Sequence, residues 1–178
     1  RGEMTPQDIR WLSEAQKGSD IAYGRLVASH QTVVRGFLRR MLGGGWADAD
    51  DVAQDFFVYA WQSLHSVREP DRFKSWLIGI AWRRAQDHVR SHQRRARRDQ
   101  DWLQSLSLPQ GVSQEDRMAL EQAMQTLAPD ARACVALSLG EGWTHAEISA
   151  SLNLPLGTVK SHLTRGREKL LAALGGVE

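Results

Sequence analysis

Apolar residues recur at spacings of three and four along most of the chain, and no stretch alternates with the period of two that a strand needs. Thr5, Pro6 and Asp8 predict a first helix: Thr5 is the N-cap, Pro6 takes the first helical position and Asp8 completes a capping box. Gly18 ends it. A second helix is predicted from Asp20 to Met41, with Tyr23, Leu26, Val27, His30, Val33, Val34, Phe37, Leu38 and Met41 on one side, and the triplet Gly43 to Gly45 stops it. A third, starting near Asp48, turns Val52, Phe56, Tyr59, Ala60 and Leu64 inward. Pro70 separates it from a fourth, whose inner stripe is Phe73, Trp76, Leu77, Ile80, Ala81, Ala85 and His88.

From Arg95 to Gln114 the periodicity fails amid Ser, Gln, Gly and Pro, which predicts a flexible linker. Beyond it Leu120, Met124 and Leu127 continue a helix, and a short one follows Pro129 through Cys134, Val135 and Leu139 to the sequence GEG. Thr144 caps the next, which points Ile148 and Leu152 inward, and Asn153 to Pro155 turn the chain into GTVKSHLTRGREKL. On a helical wheel Val159, Leu163, Gly166 and Leu170 share one narrow face, and Lys160, Ser161, Thr164, Arg165, Arg167 and Glu168 share the opposite one. Two short helices joined by a tight turn make a helix-turn-helix, whose second helix enters the major groove. The fold class is all-α, with two small helical domains joined by the linker: residues 5–94 and 115–175, with 95–114 between them.

The composition, 42% hydrophobic and 25% charged over 178 residues, is that of a globular protein. There is no run of eighteen apolar residues, so a soluble, cytoplasmic chain without membrane insertion is expected. One cysteine, Cys134, excludes an internal disulfide and a Cys-rich zinc site; packing is its expected role. Charge is distributed unevenly. Seven arginines and one acid lie between Arg83 and Arg98, whereas Gly43 to Ala60 holds Asp48, Asp50, Asp51 and Asp55 with no Lys or Arg. Such separation suits one surface for nucleic acid and another for a protein partner.

The block EGWTHAEISASLNLPLGTVKSHLTRGREKL resembles the minus-35 reading domain of bacterial sigma factors of the extracytoplasmic-function (ECF) group, in its EG, capping Thr, EI and GTVKS followed by a basic pair. Upstream, DADDVAQDFFVYAWQSL and FKSWLIGIAWRRAQDHVR are similar to the same group's sigma domain 2, in the same order. The resemblance runs from about Asp20 to Leu174. It implies an alternative sigma factor that binds core RNA polymerase and directs initiation at specific promoters, under an anti-sigma factor. It also implies that Asp51, Gln54 and Asp55 dock on the clamp coiled coil of the largest polymerase subunit. An acidic strip there would give register and steering; the plainer role for these acids is to favour a helix N-terminus.

For the fourth helix the resemblance implies minus-10 contact by Lys74, Trp76, Arg83, Arg84, Asp87 and Arg90. Cations there would hold phosphates while bases leave the stack. Trp76 has the spacing of a core residue, and Trp82 is the better exposed aromatic. Arg94, Arg95, Arg97 and Arg98 read either as phosphate contacts or as a solvated basic run. Many family members have Asn and an apolar residue where Arg83 and Arg84 stand, and Ala where Gly166 stands. In the last helix Lys160 and Arg165, flanked by Ser161 and Thr164, are the base-reading candidates, since Lys and Arg match guanine acceptors. Thr158 sits where the helix N-terminus favours a phosphate, and Arg167 suits backbone contact.

An enzyme is not expected. The chain has no Gly-rich phosphate loop, nucleophile elbow or HExxH, and His88 and His92 lie among arginines that would repel a metal. No cofactor is implied. Two other readings compete: a LuxR-type helix-turn-helix activator, whose recognition helix resembles TVKSHL and REKL but which usually carries an α/β domain, and a sigma-mimic interaction protein, which would have no need of Lys160 and Arg165.

Overall fold

The computed structural model describes residues 4–43, 46–96 and 114–175, and these are helical almost throughout. Four helices form the first half: α1 (Pro6–Gln16), α2 (Asp20–Leu42), α3 (Trp46–Ser63) and α4 (Phe73–Ala96). Four more form the second: α5 (Gln114–Thr126), α6 (Pro129–Val135), α7 (His145–Leu152) and α8 (Leu156–Leu174). Most of the residues read as linker lie outside the described residues, as do Arg97 and Arg98.

Local chemistry sets the helix ends. Thr5 accepts from the Asp8 backbone N–H and the Asp8 carboxylate accepts from the Thr5 N–H, both at 3.1 Å, closing the expected capping box. Ser19 caps α2 through Ala22, and Gly43 ends it in the left-handed region at φ 56°. A side chain at Gly43 would be strained there and would also overlap Gln125 of α5.

The first half packs α1 on α2 and brings α2, α3 and α4 together around Leu26, Val34, Phe37, Leu38, Phe56, Phe73 and Ile78, all at most 2% exposed. Two polar groups enter this core with partners. Asp8 is pushed up by burial, but hydrogen bonds from Thr5 and Ser29 and the nearby His30 outweigh that and hold its carboxyl below the usual range. His30 places Nδ1 2.9 Å from the Leu26 carbonyl and meets the Phe73 ring edge-on at 5.1 Å.

In the second half, α5, α6 and α7 pack on α8. The α6 helix widens into a π-helical turn over Ala136–Gly140. Arg132 is buried and donates to the carbonyls of Met124, Gln125 and Leu127, where α5 ends. Carbonyls at a helix C-terminus lack the usual partner four residues on, and although Met124 also accepts from the Leu127 N–H at 3.2 Å, a guanidinium placed among them serves several at once. Cys134 is wholly buried, and burial pushes its thiol up to about 12.

The two halves touch. The α7 helix lies on α4, and α6 with its π-helical turn lies on α2.

Candidate functional site

The α3 helix separates its residues cleanly. Val52, Ala53, Phe56 and Ala60 are buried, while Asp51, Gln54 and Asp55 are exposed on the opposite face at positions i, i+3 and i+4. Asp50 pairs with Arg35 of α2, so it anchors the helix and leaves the outward strip to its neighbours. Val58, 60% exposed, extends that strip by one turn at position i+7 from Asp51, and composition gave no hint of it.

Tyr59 was expected inside, yet it is 39% exposed. The small Ala60 occupies the buried position, and the Tyr59 ring instead lies under the Arg84 guanidinium, 4.0 Å from its carbon. Arg84 is therefore tied to α3.

The other minus-10 candidates do not form one cluster. Helical spacing puts Trp76, Arg83, Asp87 and Arg90 on one line of α4 and Lys74 roughly opposite them, at about 180°. Arg83, Asp87 and Arg90 are exposed. Trp76 is half-buried; its ring stacks on Phe73 at 5.9 Å and its indole N–H donates to Ser66 Oγ at 3.1 Å. Lys74 is also half-buried, close enough to His30 to disfavour that imidazole's charged form. Trp82, expected to be exposed, is 6% exposed on the side of α4 that carries Ser75 and Gly79. Its sequence position looked outward because the second half, which covers that side, was not counted as a neighbour. The side chains of Arg94 and Arg95 lie outside the described residues.

In the helix-turn-helix, Thr144 and Glu147 close a second capping box, with bonds of 2.9 and 3.2 Å. Ile148 and Leu152 are buried, and Asn153 ends α7 in the left-handed conformation at φ 54°. Ser149 Oγ donates to the Leu154 carbonyl at 2.6 Å and pins the turn. The α8 helix then buries Val159, Leu163, Gly166 and Leu170, the face read from the wheel. Lys160, Ser161, Thr164, Arg165 and Arg167 are exposed together, and Thr158 is half-buried at the start of the helix. Thr164 Oγ1 donates to the Lys160 carbonyl at 3.0 Å, within the helix. Pro155 offers no side-chain cap, so the first N–H groups of α8 remain available to an anion.

The family model for Sigma-70 region 2 matches residues 26–95, and that for Sigma-70, region 4 matches residues 117–170. The RNA polymerase sigma factor CarQ of Myxococcus xanthus is 36% identical over 171 residues, 94% of this chain and 97% of that protein. The ECF RNA polymerase sigma-E factor of Escherichia coli K12 is 28% identical over 182 residues, 94% of this chain and 93% of the relative. Among solved structures, CnrH in complex with the cytosolic domain of CnrY aligns over 97% of this chain and 99% of its own, with TM-score 0.71 and 27% identity. RpoE of Bartonella quintana, solved with the anti-sigma factor NepR, shares the fold with TM-score 0.74 and 21% identity, over 88% of this chain and 98% of that one. The chain belongs to the ECF sigma factors of the sigma-70 family.

Proposed function

We propose that the first half of the chain, residues 5–94, docks on core RNA polymerase and engages the minus-10 element, and that residues 115–175 read the minus-35 element. The observation that supports this best is the pair of outward strips on two separate helices. Asp51, Gln54 and Asp55 on α3 suit the basic side chains of a protein partner, here the clamp coiled coil, and Val58 adds an apolar contact beside them. Lys160 and Arg165 on α8 suit guanine edges, and the uncapped N-terminus beside Thr158 suits a phosphate. Arg167 contacts the backbone. Arg83, Asp87 and Arg90 form the minus-10 strip of α4, Arg84 of the same helix flanks it, held against Tyr59 of α3, and Trp76 and Lys74 support the helix from within.

The role is binding and positioning, without catalysis of its own, and it is exercised in the cytoplasm. Among the described residues no helix is long and apolar enough to cross a membrane. An anti-sigma factor governs access to these strips, in keeping with the partner-bound state of the CnrH neighbour. A free-standing LuxR-type activator would not need the α3 strip, and a sigma mimic would not need the cations of α8.

The test is co-elution of the purified chain with bacterial core polymerase, followed by transcription from a promoter library. Co-elution with new, sequence-dependent start sites is expected. Asp51→Lys with Asp55→Lys should abolish co-elution while circular dichroism stays unchanged, because both carboxylates are exposed and no core contact is lost. Co-elution that survives the reversal reassigns the docking surface.

A further inference from the structure

Main-chain bonds fix every torsion but one in the turn between α7 and α8. Asn153 is held in the left-handed region, at φ 54° and ψ 45°, and its N–H donates to the Ser149 carbonyl. The next N–H, of Leu154, reaches the same carbonyl at 3.2 Å. Beyond it the Pro155 ring sets φ, here −57°, and the Pro155 carbonyl accepts the Val159 N–H at 3.0 Å, so α8 has already begun. What is left is rotation about ψ of Leu154, which swings the peptide plane that joins the turn to α8. The carbonyl of that plane is the one that accepts from Ser149 Oγ, at 2.6 Å. A serine inside a helix ordinarily bonds back to a carbonyl one turn earlier or turns out to water. Ser149 instead points forward across the turn, and it and Leu154 are both half-buried.

We propose that Ser149 is a positioning residue for sequence reading: it sets the angle at which α8 leaves α7, and through that angle the reach of Arg165. The inference rests on the reading of α8 as the helix that contacts bases. In a helix-turn-helix the first helix crosses the DNA backbone while the second enters the groove, so the angle between them decides whether both can be seated at once. Apolar packing holds α8 against α5 and α6. Such packing is non-directional, and the angle to the eight-residue α7 needs a directional bond. The turn is the fulcrum of a lever. Arg165 lies nine residues beyond Leu156, about 13 Å along the axis, so an error of about 10° displaces it relative to α7 by about 2 Å. Lys160, four residues beyond Leu156, moves by about 1 Å. A productive contact must hold to about 0.5 Å. The reader farther from the turn is therefore lost first, whereas a phosphate, met mainly as a point charge, is lost more slowly.

The experiment uses the full chain and duplexes carrying the minus-35 element of a promoter found by the transcription screen, intact or with single base pairs exchanged. Ser149→Ala removes the hydroxyl at a helical position where alanine is the better helix former, so the fold is retained. Preference for the intact element should fall about three- to tenfold, with non-specific binding unchanged. In an Arg165→Ala background the same substitution should cost much less, because the side chain it positions is gone; in a Lys160→Ala background it should keep most of its effect. Residual dipolar couplings of the free chain should show α8 turned relative to α7 in Ser149→Ala, with no DNA present. An undiminished preference in Ser149→Ala, or an equal loss with and without Arg165, would overturn the proposal. If Arg165→Ala alone leaves the preference intact, the base-reading role of Arg165 falls and the proposal with it. A clear loss in Arg165→Ala beside an unaffected Ser149→Ala refutes the positioning role and leaves the reading of α8 standing.

Discussion

Gly166 shows how a single position can mislead when judged by helix propensity alone. A glycine there weakens α8 by about 1 kcal/mol relative to alanine, yet a Cβ would lie 2.7 Å from Val135 Cγ2. Val135 is 2% exposed and β-branched, so its methyl cannot rotate away without cost. Overpacking of this kind typically costs about 1–3 kcal/mol. Gly166→Ala should therefore lower the urea midpoint, whereas Gly157→Ala, where nothing lies within 4 Å, should raise it or leave it unchanged. His30 is a second case. Burial holds its imidazole below the ordinary value of 6.5, against the Leu26 carbonyl and Asp8, which favour the charged form, while Lys74 opposes it. The unfolded chain takes up a proton near pH 6.5 and the folded chain only at lower pH, so stability is complete above 6.5 and is lost as pH falls below it. Melting temperature should decline from pH 7 to 5 in the wild type and much less in His30→Gln. Asp8, held low, contributes only where pH falls through the carboxylate range. Residue roles were legible where one neighbour decides them, as at Thr5, Thr144 and Asn153. They were illegible at Tyr59 and Trp82, which answer to Arg84 and to the second half of the chain.

At the scale of the element, periodicity and caps carry nearly everything. The inner faces of α7 and α8 are those the wheel assigns, because a narrow apolar stripe on an otherwise charged helix has one way to be buried. The limits lie at the outer margins: Leu120 and Leu139, apolar and in phase, are 45% and 54% exposed. Period alone does not say how far a neighbouring element extends. For α8 the exposed set makes a graded prediction. Lys160→Ala should reduce initiation at cognate promoters more than it reduces non-specific DNA binding; equal losses would make Lys160 a phosphate contact, as expected of Arg167. A bidentate-quality base contact is worth about 1–3 kcal/mol, a five- to more than hundredfold loss at the preferred sequence.

Across the whole molecule, two domains were legible from the broken periodicity and their mutual contact was not. The contact depends on carbonyl groups at Met41 and Ser75, and main-chain acceptors leave no trace in the residue types that surround them. Residues 114–178 alone should consequently melt at lower temperature and less cooperatively than the same segment in the full chain, as calorimetry would record; a small domain buries little surface to begin with. Arg132 adds a consequence for how the protein is made. Its bond to Met41 joins positions 91 residues apart. Synthesis releases the N-terminal portion first, so the end of α2 must stay hydrated until α6 has left the ribosome. The first four helices thus have to hold their shape unaided, and the later ones can assemble on a surface already in place. A nascent chain paused before Arg132 would leave the end of α2 and the Ser75–Gly79 flank of α4 uncovered, while its α3 strip would be exposed just as it is in the finished chain.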